Sequence, residues 1–135
     1  MAKVYVASSL DNWKSASHNI KLLKDAGHTI TYDWTVHAEE YKNDTSVAPT
    51  ANRLRAIASK ELQGVSSADC IVVILPGGNG THFEFGVAYS LGIPVFLMDQ
   101  RRSKGRKTSF HYLPNVIRIS SISEFNDQIN DERSN

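Results

Sequence analysis

Cys70-Ile71-Val72-Val73-Ile74-Leu75 is six apolar residues in a row, broken at once by Pro76-Gly77-Gly78-Asn79-Gly80. A run this short, apolar on both faces and rich in β-branched residues, predicts a strand at the centre of a parallel sheet, with helices above and below. Downstream, a helix is expected from Thr81 to Leu91, stopped by Gly92 with Pro94 beyond it. Val95 to Met98 reads as the next strand, 99–114 as a long loop, and Val116 to Ile119 as the last strand. Ser121-x-x-Glu124 opens a final helix as a capping box, and the polar tail after about Asp131 is expected to fray.

Upstream, Leu54, Ile57, Ala58, Leu62 and Val65 recur at helical spacing from about Pro49 to Val65, with Ser66 to Asp69 as a turn. Residues 36–48 are polar and mixed, which predicts a loop. His28 to Trp34, rich in Thr, Ile, Tyr and Trp, predicts a second strand. A helix capped by Asn12 should run to about Ala26 and stop at Gly27. Val4 to Ala7 is a short first strand. The order β-α-β-α-β-α-β-β-α implies an α/β fold: a flavodoxin-like or Rossmann-like doubly wound five-stranded parallel sheet with helices on both faces. No internal repeat or linker interrupts it, so one domain over 1–135 is expected.

The bulk numbers narrow the function classes. The chain has 135 residues, 41% hydrophobic and 21% charged, a globular composition. A formal charge of +1 gives no global field for a nucleic-acid backbone. One cysteine, Cys70, rules out an internal disulfide or a thiolate zinc site. His37 and His82 lack ligand partners at metal-site spacing. The N-terminal apolar stretch is too short for a signal peptide, and no run spans a membrane, so the expected compartment is the cytoplasm.

In such sheets ligands sit beyond the carboxyl ends of the strands. Four polar clusters are expected there: Ser8-Ser9, Asp33-Trp34, Gly77 to Thr81, and Asp99 with its loop. Ser8 and Ser9 offer hydroxyls to a sugar or phosphate, or merely form the turn. Trp34 can stack on a base while Asp33 bonds its edge, or the indole is core. In the glycine loop, Gly78, Asn79, Gly80 and Thr81 bring backbone close to a ligand, glycine permitting positive φ, and the N–H groups of the following helix favour negative charge. The loop is neither a Walker A loop nor a dinucleotide fingerprint. Glu84 has two readings. Thr81-x-x-Glu84 is itself a capping box, and the same placement sets a carboxylate beside a ligand, where it can attack an oxocarbenium-like sugar carbon.

The block from Ala68 to Val95, with Pro76-Gly77-Gly78-x-Gly80-Thr81-His82-x-Glu84-x-Gly86-x-Ala88 at its heart, resembles the nucleoside 2-deoxyribosyltransferases and their relatives, the deoxynucleoside monophosphate N-hydrolases. Val4 to Ser9 is similar to that family's first strand and Thr31 to Thr35 to a segment of its short bacterial members. The resemblance runs from about Lys3 to Phe125. It implies that Glu84 is the nucleophile of a glycosyl-enzyme ester, and that Glu61, the second catalytic acid, positions the sugar or relays a proton. It implies an aromatic residue near the reaction centre at Tyr5. It also implies a homodimer or larger assembly, in which the segment around Thr108 and Ser109 completes a neighbour's site.

One departure stands out. Where the monophosphate hydrolases carry an arginine that grips the 5′-phosphate, this chain has Leu10-Asp11, which favours an unphosphorylated substrate unless Lys14 or the basic loop Arg101, Arg102, Lys104, Arg106 and Lys107 compensates. The expected activity is cleavage of the N-glycosidic bond of a nucleoside or nucleotide with transfer of the sugar to another base, or to water. No metal or redox cofactor is required, and neither nucleic acid nor membrane is an expected partner. A nucleotide sensor in which Glu84 only caps its helix is the competing class, and a purely structural or partner-binding domain is a third.

Overall fold

The computed structural model describes residues 1–38, 50–99 and 108–134. The five strands are β1 (Lys3–Ala7), β2 (Thr29–Ile30), β3 (Cys70–Ile74), β4 (Val95–Met98) and β5 (Val116–Ile119). The helices are α1 (Trp13–Asp25), α2 (Ala51–Ser66), α3 (Asn79–Ser90) and α4 (Ile122–Ser134). Short 3-10 turns cover Leu10–Asn12 and Ser109–Tyr112. All pairings are parallel, in the order β2-β1-β3-β4-β5. Strand order reverses between β1 and β3, so the crevice expected to bind a ligand lies beyond their carboxyl ends.

β3 is buried along its whole length, as a central parallel strand should be. Its alternate residues serve two cores. Val4, Val6, Cys70, Val72, Ile74, Phe96 and Met98 pack against α1 and α4, through Ile20, Leu23 and Phe125 among others. Tyr5, Ala7, Ile71, Val73, Val95 and Leu97 pack against Val65, Phe85 and Ala88 on the other face. Each fully buried aliphatic or aromatic side chain contributes about 1.5–3 kcal/mol. Gly27 and Gly92 close α1 and α3 at positive φ, as glycine after a helix end is suited to do.

Several local expectations are corrected. β2 is two residues long, not His28 to Trp34. Thr31 gives its hydroxyl to the Gly64 carbonyl (2.7 Å), Trp34 its indole N–H to the Val6 carbonyl (2.7 Å), and Asp33 accepts from the Thr35 N–H (2.9 Å) at the start of a helical turn over 35–38. These bonds bend the chain off the sheet edge. Asn12 occupies the N-cap position of α1 without capping it, because its amide donates to the Ser8 hydroxyl (2.9 Å). Thr50 caps α2 by accepting from the Arg53 N–H (3.2 Å). Along α2 only Gly64 and Val65 are buried, and Leu54, Ala58 and Leu62 stay exposed. The backbone of α4 continues to Ser134, past the expected fraying point. The basic loop Arg101 to Lys107 and Pro49 lie outside the described residues.

Candidate active site

A cavity of about 710 Å³ opens at the β1/β3 reversal. β1 and the turn after it supply Tyr5, Ser8, Ser9, Leu10 and Asp11. The segment after β2 supplies Tyr32, Trp34, His37 and Ala38. α2 contributes Leu54, Ile57 and Glu61, which at spacings of three and four share one helical face. The exposed apolar face of α2 is thus a cavity wall, with empty volume where a core would be. The start of α3 adds Gly78, Asn79, Gly80, Thr81 and Glu84.

Glu84 does not cap its helix. α3 begins at Asn79, two residues earlier than expected, so Thr81 falls in the first turn and accepts the Gly78 N–H (3.0 Å). Glu84 lies one turn further in, 8% exposed, and accepts a short hydrogen bond from the Tyr5 hydroxyl. Burial pushes the Glu84 carboxyl up to about 8; the Tyr5 hydroxyl draws it down, and the Glu61 charge raises it again. Burial raises Glu61 above its ordinary value as well. The Tyr5 phenol is driven far above its usual range, by burial first and then by the Glu84 charge. Two carboxyls and a phenol thus share one partly desolvated wall.

Gly77 and Gly64 act through close packing, not through positive φ. Gly78 is extended at φ −110° and ψ −167°. A Cβ on Gly77 would stand 2.9 Å from Thr81 Cγ2, and one on Gly64 would stand 2.9 Å from Tyr32 and 3.0 Å from the Tyr5 ring. Gly64 therefore lets α2, with Glu61, lie directly on Tyr5. The role of Gly64 and the lining by Tyr32, Leu54 and Ile57 escape sequence reasoning; a glycine inside a helix is the single signal that points to them.

The other expected residues divide. Ser8 lines the cavity, but its hydroxyl donates to the Ile74 carbonyl (2.9 Å) and accepts from Asn12, so it braces the β1–β3 junction. Ser9 and Trp34 line the cavity, and Trp34 is fixed through Val6. Asp33 is not part of the lining; its carboxylate is engaged by Thr35. Ser109 is exposed on its 3-10 turn, away from the cavity of its own chain. Among the described residues no group of three or more His, Cys, Asp or Glu is arranged to hold a metal. No described helix is long and apolar enough to cross a membrane.

The family described as nucleoside 2-deoxyribosyltransferase matches the chain over residues 4–117, a span that holds every residue of this wall. The chain belongs to that family. With it, the chain is an enzyme of glycosyl transfer or N-glycosidic cleavage acting on nucleoside-type substrates. Three solved structures share the family fold at low identity. A 2-deoxyribosyltransferase from Bacillus psychrosaccharolyticus is 21% identical, with TM-score 0.67 over 92% of this chain and 90% of its own. A conserved protein from Enterococcus faecalis V583 is 18% identical, with TM-score 0.62 over 98% and 99%. The CMP N-glycosidase of Clostridium botulinum is 16% identical, with TM-score 0.60 over 95% and 98%. No curated protein sequence matches the chain.

Proposed function

We propose that this enzyme cleaves the N-glycosidic bond of a (deoxy)nucleoside by double displacement on Glu84 and transfers the sugar to a second base. The observation that carries the reading is the buried Glu84 carboxyl, held by Tyr5 on the cavity wall. In its ionised form Glu84 attacks C1′. A C1′–O bond forms, the C1′–N bond breaks, and the base leaves with the electron pair and takes up a proton. Glu61, with its raised affinity for a proton and its place on the same cavity, is the group assigned to deliver it. An acceptor base then attacks C1′, the C1′–O bond to Glu84 breaks to release it as carboxylate, and the acceptor's proton returns to Glu61. Tyr5 steadies one carboxylate oxygen while the other reacts. Trp34 and Tyr32 offer aromatic faces to a base, and Gly78 to Thr81 offer backbone to the sugar. Asp33 acts indirectly, through the turn that sets Trp34.

A 5′-monophosphate N-hydrolase is the second reading. The N-terminus of α3 on the cavity favours it, since helix N–H groups attract phosphate. Asp11 on the same cavity weighs against it, because its charge repels a phosphate. A non-catalytic sensor would need no such desolvated Glu84. We also infer that the enzyme works as a homodimer or larger assembly, Ser109 serving the neighbour's site. The exposed Phe110 and Tyr112 on that turn support a covered surface. A cytoplasmic role in nucleoside salvage goes with this reading.

The deciding experiment is a chromatographic assay of nucleosides and their 5′-monophosphates, with and without a free acceptor base, beside Glu84→Ala. New nucleoside formed with acceptor alone means transferase; free base and sugar mean hydrolase. Turnover undiminished in Glu84→Ala refutes the mechanism. Light scattering on the same preparation tests assembly, and a fully active monomer excludes it.

A further inference from the structure

Beside the cavity, on the far side of the glycine turn, two imidazoles meet. His82 and His111 approach with their Nε2 atoms 3.0 Å apart, and their rings stack at 26° with centroids 5.2 Å apart. His82 Nδ1 lies 2.8 Å from the Gly78 carbonyl oxygen. A carbonyl oxygen only accepts, so Nδ1 carries a hydrogen and Nε2 of neutral His82 is an acceptor. The hydrogen between the rings therefore belongs to His111 Nε2. Donation runs in one direction, from His111 to His82 to Gly78.

That chain ends on the turn that walls the cavity. The Gly78 carbonyl also accepts the His82 backbone N–H (3.1 Å), and the Gly78 N–H donates to Thr81. The His82 ring lies against Gly77, where a Cβ would come within 3.0 Å of Cε1. His111 is itself fixed: it is 3% exposed, its N–H donates to the Thr108 carbonyl (3.1 Å), and its carbonyl accepts from Arg118 (3.3 Å). The glycine turn is thereby tied to the 108–112 segment.

We propose that His111 and His82 are positioning residues: a latch that holds the 77–81 turn in its substrate-binding shape and opens when each ring takes up a second proton and both become imidazolium. The proposal rests on the reading of the cavity as the nucleoside site. One added proton, on His111 Nδ1, leaves the chain of donors intact. A second, on His82 Nε2, sets two N–H groups against each other at 3.0 Å, and they must part. Among the described residues, the groups acting on His111 are His82 on α3, Arg118 on β5 and Asp99 after β4. Burial, His82 and Arg118 hold the His111 proton affinity below its ordinary value, against the pull of Asp99. Release therefore belongs to pH below the ordinary imidazole range.

Long-range proton–nitrogen NMR of the intact protein reads the latch directly. The expected result is an Nδ1–H tautomer at His82, an Nε2–H tautomer at His111, and amides of Gly78, Asn79 and Gly80 that shift as the pair titrates. An Nε2–H tautomer at His82, or loop amides indifferent to that titration, overturns the proposal. Kinetics give the second test. His111→Phe keeps a ring but no donor, and should raise KM about tenfold, the worth of one hydrogen bond, with kcat little changed. His111→Gln keeps a donor near the Nε2 position without titrating, and should restore KM and abolish its rise at acid pH. Equal KM and equal pH profiles in all three proteins sink the latch. Should His111→Phe fail to fold, His82→Asn keeps the bond to Gly78 but cannot reach His111, and must uncouple the loop amides from His111. If no nucleoside is turned over by any form, the proposed reaction fails, while the amide shifts still decide the latch.

Discussion

Thr81-x-x-Glu84 and Ser121-x-x-Glu124 carry the same spacing and come to opposite ends. In the second, Ser121 accepts the Glu124 N–H (3.1 Å), and the Glu124 carboxylate turns back onto the N–H and hydroxyl of Ser120 (2.8 Å each). Those bonds hold the exposed Glu124 carboxyl below its ordinary value. In the first, α3 has already begun at Asn79, so the glutamate is carried inward to Tyr5 and its carboxyl is raised to about 8. Identical spacing makes an exposed cap or a buried, desolvated carboxyl according to where the helix starts upstream. Gly78 decides that start, because its N–H is satisfied by Thr81 and Glu84 is not needed there.

The largest test of that contrast is loss of activity. Glu84→Ala should lower kcat by on the order of 10³-fold or more, the scale of losing a nucleophile, whereas Glu124→Ala should leave kcat unchanged. The pH profile follows. Below about 8, kcat/KM should rise about tenfold per pH unit as Glu84 ionises. Tyr5→Phe removes the donor that lowers this carboxyl, so the rise should move to higher pH; an unmoved profile would detach Tyr5 from the chemistry.

Stability should separate the two glutamates by sign. The folded-state value of Glu84 is raised above the unfolded one, so the unfolded chain releases its proton first. Stability should then fall between about pH 4.5 and 8, by at most about 1.4 kcal/mol per unit from this group, and Glu84→Gln should flatten that slope in urea titrations. Glu124 is lowered, so its contribution is present above the ordinary carboxylate range and disappears as pH falls through its folded value. Glu124→Gln should give a small drop in Tm at pH 7 that vanishes in acid. The smallest effect is Ser121→Ala, which should cost about 1 kcal/mol of stability and no activity.

What could be read in the chain follows from how local each signal is. β3, β4 and β5 declare themselves as apolar runs, and glycine marks the ends of α1 and α3. The Ser121 box is a contact between near neighbours and is legible for that reason. β2 is not, because a stretch rich in β-formers spends Thr31, Asp33 and Trp34 on bonds to Gly64, Thr35 and Val6 instead of a ladder. Glu84 stood out through its glycine loop and a family resemblance. Its partner Tyr5, 79 residues earlier, leaves no local trace and enters through that resemblance alone, while the void that Leu54 and Ile57 border leaves none at all. Sequence patterning describes what fills a core and is silent about the space left empty beside it.

The parallel pairing of β1 with β3 also bears on how the molecule comes into being. Val4 lies beside Cys70 and Ala7 beside Val73, so β1 has no inner neighbour until more than sixty further residues have been made. Tyr5 meets Glu84 later still. During synthesis the nascent chain therefore carries a bare strand edge, and the Tyr5–Glu84 contact closes only after both strands and the start of α3 have emerged.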